Sequence, residues 1–344
     1  MDDVARLPAR DRNDLFAASA ARRAINLVII EKDFWVCWIL KRLFELPNPP
    51  ASLVFKGGTS LSKVWGVIDR FSEDVDLSFN RSDLGFGGDA DPAHATSTNK
   101  RERQLNQLSA ACTAMIRDQF APRLAEAVSV ALGKEAGESW RLDIDADDAQ
   151  SVLFHYPTKV PRGVGDEAPY LRPLVKLELG ARSEHWPSEK ADITPFAAED
   201  FPKAFRSPSC KVNVVSAERT FWEKATILHS WCHAGGDRPL RDRQSRHFYD
   251  VYKLSTTSIG NKALDDLDLL RSVAKHKSIF FASAWARYDE AIPGTLRLVP
   301  PTFRLPELER DYTFMRNEMI FADAPRLEDI MLALREIERR VNGS

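Results

Sequence analysis

Asp74, Asp76 and Ser78 alternate with Val75, Leu77 and Phe79 in one unbroken run. Alternate side chains of an extended strand share a face, so this run would turn two carboxylates to one side and three apolar groups to a core. Paired carboxylates bind divalent metal, and metal beside phosphate is the equipment for work on a nucleoside triphosphate. The phosphate half lies just upstream. Lys56-Gly57-Gly58-Thr59-Ser60 follows the apolar run Ser52–Phe55. Such a turn can set backbone N–H groups, and the Thr59 and Ser60 hydroxyls, against phosphate oxygens. Lys63 and Arg70 are placed in sequence to add positive charge. Singly, each half has a plain explanation, a solvated strand face and a strand-to-helix turn. Their order and proximity carry the functional reading.

A third acid is expected if two metal ions are to be held. In Val175-Lys176-Leu177-Glu178-Leu179, strand alternation sets Lys176 and Glu178 opposite three aliphatics. Two such half-polar strands, if neighbours, would pool their polar faces in one cleft; a cross-strand salt bridge is the simpler alternative. Asp143, Asp145, Asp147 and Asp148 are rival carboxylates in a stretch that reads as a turn.

Helices must position these strands. Residues 8–30 read as one helix and residues 31–46 as a second, closed by Pro47, Pro49 and Pro50, which lack the amide hydrogen a helix needs. Ser60–Trp65 reads as the start of a helix after the glycine turn. Residues 80–100 read as a mobile polar loop, and 101–132 as a helix with Leu105, Leu108, Cys112, Met115, Ile116 and Phe120 on a core stripe. Ser151–Tyr156 and Leu174–Leu179 read as strands. Residues 181–210 carry prolines and no clear period, which sets an expected boundary between a domain at 1–205 and a mainly helical one at 206–344. Lys224 borders an apolar helical stripe at Phe221, Ala225 and Leu228, where a lysine commonly snorkels to water.

Composition narrows the class. The chain has 344 residues, 44% hydrophobic and 28% charged, as in an ordinary globular protein. No apolar run reaches membrane-spanning length and no secretory core opens the chain, so the cytoplasm is expected. Cys37, Cys112, Cys210 and Cys232 show no metal-ligand spacing. A net charge of −2 supplies no overall footprint for nucleic acid. The arginines from Arg238 to Arg246 are the clearest local basic patch, suited to an RNA backbone or a triphosphate tail, or simply to solvent. His229 and His233 stand four apart beside Cys232, but nothing completes a zinc set.

The ordered motifs resemble the polymerase-β-like nucleotidyltransferase superfamily, whose pattern is an apolar-Gly-(Gly/Ser) turn followed by Asp-apolar-Asp. Glu31-Lys32-Asp33, Phe55 to Lys63, Arg70 to Leu77, Leu174 to Leu179, Glu218 to Lys224, Arg246 to Asp250 and Asp311 to Met315 are together similar to the AbiEii/AbiGii nucleotidyltransferase toxins, a broad group that includes the MenT toxins. The likeness runs from about residue 25 to the end. It implies an α/β (α+β) fold, with a small mixed sheet in a polymerase-β-like core and a largely helical C-terminal part. It also implies Lys224 and Asp250 in the active centre with Asp74, Asp76 and Glu178. Some relatives carry Lys-Asp where this chain has Arg246-His247. Metal would sit on Asp74, Asp76 and Glu178, as Mg2+ or Mn2+, with an NTP as substrate. Gly57, Gly58, Thr59, Ser60, Lys63, Arg70 and Lys176 would bind the nucleotide. The implied role is the toxin of a toxin–antitoxin or phage-defence (abortive infection) pair, with RNA, tRNA first, as acceptor and a neighbouring-gene antitoxin as partner. Two rivals remain: a protein-modifying enzyme using AMP transfer or phosphorylation, and a silent nucleotide-binding module.

Overall fold

The computed structural model describes residues 1–72, 74–134, 139–158, 172–240 and 242–343. The chain opens with α1 (Asp2–Ala5), α2 (Ala9–Arg23) and α3 (Leu27–Phe44), followed by β1 (Leu53–Lys56), α4 (Gly57–Lys63) and β2 (Asp74–Phe79). Next come α5 (Thr98–Met115), a π-helical turn at Ile116–Phe120, α6 (Ala121–Leu132), β3 (Arg141–Ile144), β4 (Ser151–His155), β5 (Val175–Gly180), β6 (Ser188–Ile193), α7 (Phe196–Asp200) and β7 (Cys210–Val215). Six helices close the chain: α8 (Ala217–His233), α9 (Ser245–Ser255), α10 (Ser258–Asp265), α11 (Leu267–Phe280), α12 (Leu305–Glu318) and α13 (Leu327–Asn342).

The strands form one mixed sheet in the order β3-β4-β5-β2-β1-β7-β6. Its centre is built by alternation. Val75, Leu77 and Phe79 of β2 and Val175, Leu177 and Leu179 of β5 join α3 in a single apolar cluster. Within it Trp35 stacks on Tyr156 at 5.5 Å and Trp38 on Phe154 at 5.7 Å. Both tryptophans are fully buried, so the apolar side of the sheet is closed off by α3. A second cluster gathers α8 to α13 and takes in Leu61 of α4 and Ile68.

Several boundaries differ from expectation. The first helix ends at Arg23, where Ala24 turns left-handed, and Asn26 caps a new helix by accepting from the Val28 N–H at 2.9 Å. Glu31, Lys32 and Asp33 therefore lie inside α3, all buried, and do not open it. The expected mobile loop at 80–100 is three short 3-10 turns fastened by Arg81, which bonds Asp91 at 2.8 Å and Glu184 at 3.0 Å. Three strands, β3, β6 and β7, were not anticipated, and Asp143, expected in a turn, lies in β3. Strand β7 begins after residue 205 yet pairs parallel with β1 inside the sheet, and the change from one apolar cluster to the other falls between Val214 and Ala217. Arg241 and the connection at 159–171 lie outside the described residues.

Candidate active site

Register places the acidic groups. Strands β2 and β5 run parallel with Asp74 opposite Lys176 and Asp76 opposite Glu178. Strand β1 is antiparallel to β2 with Lys56 opposite Asp76. Directly opposed residues project to the same face, so Asp74, Asp76, Lys176, Glu178 and Lys56 share the side of the sheet away from α3. Lys176 donates to Glu178 at 3.1 Å and stands 3.8 Å from Asp145, one of the rival carboxylates. Partial burial raises the Glu178 carboxyl above its ordinary range, and the negative charges of Asp76 and Asp74 raise it further against the pull of Lys176.

The glycine turn is a close approach. Gly57 has φ +76, and a Cβ there would lie 1.9 Å from Asp76 Oδ2. A Cβ on Gly58 would lie 2.8 Å from Arg70 Nη2 and 2.9 Å from Ser72 Oγ. Successive Cα atoms are about 3.8 Å apart, so Asp76 and the Arg70 guanidinium flank one turn of backbone. Gly57→Ala should cost about 1–2 kcal/mol through its left-handed conformation alone. Displacing Asp76 should lower transfer activity by about 100-fold or more. A melting curve and a turnover assay on that variant check both.

Arg70 reaches this point because its segment is stitched to the C-terminal helices. Phe71 N donates to Met319 O at 2.8 Å, Phe321 N donates to Asp69 O at 3.0 Å, and Lys253 pairs with Asp69 at 2.7 Å. Arg70 then makes a two-pronged bond to Asp250, Nε to Oδ1 at 2.7 Å and Nη2 to Oδ2 at 2.6 Å. Lys224 Nζ meets the same Asp250 Oδ2 at 2.8 Å. Burial would push the Asp250 carboxyl up, but Arg70 and Lys224 outweigh it and hold it well below its ordinary range. Burial lowers Lys224, with Asp250 opposing and Arg70 adding to the shift. Arg246 closes the gap between the two groups, its guanidinium 3.8 Å from Asp74. His247 is depressed by burial and by Lys224 and Arg246, so a neutral ring stands next to Arg246.

Asp74, Asp76, Glu178 and Lys176 thus share one sheet face, and Arg70, Lys224 and Asp250 meet beside the Gly57-Gly58 turn. Four residues expected on the phosphate have other partners. Lys63 is paired with the buried Asp33 at 2.6 Å and sits 4.0 Å from the Phe196 ring centre, because α4 leans on α3 and α7. Thr59 Oγ1 donates to the Asp74 carbonyl, and Ser60 Oγ donates to Gly57 O at 2.8 Å. Both residues are buried; the Thr59 hydroxyl bolts α4 to β2, and the Ser60 hydroxyl closes the first turn of α4. Arg70, expected near phosphate, is committed to Asp250.

Lys56 shares the face of Asp76, and Arg219, Glu223 and Lys277 interact with it, with one another or with Lys224; none of the four was singled out in the sequence. Lys56 stood next to the glycines, and Glu223 inside a quoted motif; Lys277 had no local signal. The His229 and His233 rings are 4.5 Å apart, but His229 contacts Arg287 O and accepts from Arg297 N–H, and among the described residues no set of three ligating side chains could hold a metal.

The same test applies to the acidic face. Asp74, Asp76 and Glu178 are hard oxygen donors, half-exposed, and their mutual repulsion is only partly relieved by Lys176 and Arg246. Among the described residues these three are not gathered into a set that could by itself hold a metal. One or two carboxylates suffice for a hard divalent ion whose shell is completed by water and substrate phosphates. The Asp74 and Asp76 pair, two residues apart on one strand face, fits such an ion on that basis.

Comparison with known proteins identifies the family. The family model described as nucleotidyl transferase AbiEii toxin, type IV toxin–antitoxin system, matches residues 38–336. Among functionally curated proteins none matches. A solved structure similar to this one is MenT4, a nucleotidyltransferase toxin from Mycobacterium tuberculosis H37Rv, at 16% identity and a TM-score of 0.44, covering 96% of this chain and 97% of that one.

Proposed function

Since the chain belongs to the AbiEii family of nucleotidyltransferase toxins of type IV toxin–antitoxin systems, we propose that it is a metal-dependent enzyme moving a nucleoside monophosphate from an NTP to RNA, with tRNA the first acceptor to test. The observation that carries this reading is the matched register of Asp76 with Glu178 and Asp74 with Lys176 beside the Gly57-Gly58 turn. An acceptor hydroxyl attacks the α-phosphorus, the new O–P bond forms, and the bond to the β-phosphate oxygen breaks to release pyrophosphate. A protein contributes to this step mainly by positioning and charge neutralisation. Bound at Asp74 and Asp76, Mg2+ or Mn2+ would supply Lewis acidity toward the phosphate oxygens. Lys224, held by Asp250, presents its ammonium group to the developing negative charge, and Arg246 supports Asp74. Lys176 holds Glu178.

Glu178 either closes the metal site or takes the proton of the attacking hydroxyl. Glu178→Gln separates the two: a lost ligand raises the Mg2+ needed for half-maximal rate, whereas a lost base lowers the rate at saturating Mg2+ by about 100-fold or more. Wild-type response in both measurements would remove Glu178 from the site.

The family implies an antitoxin partner. Among the described residues no helix is long and apolar enough to cross a membrane; the cytoplasm, where NTP and tRNA are found, is the proposed compartment. With a net charge of −2, RNA would be met through local arginines such as Arg238 and Arg243. Incubation with each α-labelled NTP and either total RNA or total protein tests the acceptor. Label in RNA is expected. Label in protein alone would favour a protein-modifying enzyme, and no label in either a silent nucleotide-binding module.

A further inference from the structure

The charges between the sheet and helices α8 and α11 do not balance. Arg219 is buried and donates to Glu223 at 3.1 Å and to Trp186 O at 2.9 Å, so Glu223 already has a partner. Lys224 is taken by Asp250 at 2.8 Å. His276 bonds Arg182 O at 2.8 Å, and burial lowers its ring to about 4, leaving it neutral. Two ammonium groups remain. Lys56 and Lys277 are half-buried, and among the described residues neither makes an ion pair. Both act on Glu223, and Lys56 also acts on Lys277, so the two lie within each other's field. Lys56 faces the same side of the sheet as Asp76, its cross-strand partner. Burial and the neighbouring cations Lys56, Arg219 and Lys224 lower the Lys277 ammonium to about 8, against the pull of Glu223.

Two half-buried ammonium groups that share one carboxylate, itself already bonded to Arg219, leave positive charge that a bound anion would neutralise. The anion must carry at least two negative charges and lie next to the Asp76 face. We propose that Lys56 and Lys277 form the seat of the β- and γ-phosphates of the incoming nucleotide, which selects triphosphate over monophosphate. This rests on the transfer reading above for the identity of the ligand. The seat would take inorganic tripolyphosphate by the same chemistry.

The test is calorimetric titration of tripolyphosphate, and separately of the four NMPs, into wild type, Lys56→Gln, Lys277→Gln and Lys277→Arg. Each glutamine variant should bind tripolyphosphate at least about tenfold more weakly, as expected for a lost charge-assisted contact. NMP affinity should not change, and Lys277→Arg should restore tripolyphosphate binding. The melting midpoints of the glutamine variants should stay within a few degrees of wild type, since each loses repulsion from the other lysine together with attraction to Glu223; a variant that fails to fold leaves the other two to decide. Equal tripolyphosphate affinity in wild type and both glutamine variants would overturn the seat, as would equal loss for NMP. Turnover separates this from the parent reading. If wild type transfers label and the glutamine variants keep its KM for NTP, the seat falls and the transferase stands. Should wild type bind tripolyphosphate through these lysines yet transfer no label from any NTP, the seat stands and the transferase reading falls.

Discussion

Asp76→Asn is expected to lower NTP-dependent transfer by about 1,000-fold or more, because it removes the charge nearest the glycine turn from a site that works by electrostatics. The same variant should melt within a few degrees of wild type. Asp76 is half-exposed, faces Glu178 across the strand pair, and repels it. Losing that repulsion offsets any lost contact. Asp74→Asn should behave alike: its contact with Arg246 is 3.8 Å long and partly solvated, worth well under about 1 kcal/mol. A transfer assay and a melting curve on purified variants check both halves.

Asp250→Asn should do the reverse as well as kill activity. Asp250 is fully buried and bonded to Arg70 twice and to Lys224 once. Neutralising it strands two buried cations, a loss of about 3–5 kcal/mol that should lower the melting midpoint by roughly 5 °C in a chain of this size. Its pH dependence follows from the direction of the shift. Unfolded, the group titrates near the ordinary 3.8, and folded it titrates lower. The stabilisation is therefore fully present above the ordinary value and is lost as pH falls through the folded one. Acid denaturation below about pH 4 should accordingly be shallower in Asp250→Asn than in wild type. Lys224→Ala should be milder in stability than Asp250→Asn, since Arg70 still neutralises the carboxylate, and should cost mainly activity.

How far these contrasts were legible in sequence depends on the range of the interaction. Strand β2 falls on the expected residues, Asp74–Phe79, because alternation is a local signal that burial of one face enforces. Glu178 was legible for the same reason. That its strand would sit beside β2, at a register opposing Asp76, is a tertiary fact no local pattern encodes. Lys63 shows the limit most plainly: it lies in a phosphate-type motif, yet its partner Asp33 sits on another helix, and burial makes that pair decisive. Strand β6 was hidden because Ser188–Ile193 is an edge strand with mostly exposed side chains, and so has no apolar period to read. Strand β7 does alternate, in Cys210-Lys211-Val212-Asn213-Val214-Val215, and was obscured only by the proline-bearing stretch before it. The break at Ala24 had a usable sign in Asn26, a good cap, but neither glycine nor proline marks it.

Incorporation into RNA of label from the α-phosphate, measured against the γ-phosphate across a Mg2+ titration, tests the central assignment most directly. Wild type should transfer the α-label alone, only when divalent metal is present, and Asp76→Asn should transfer none. Transfer of the γ-label, transfer undiminished by chelator, or full activity in Asp76→Asn would contradict it.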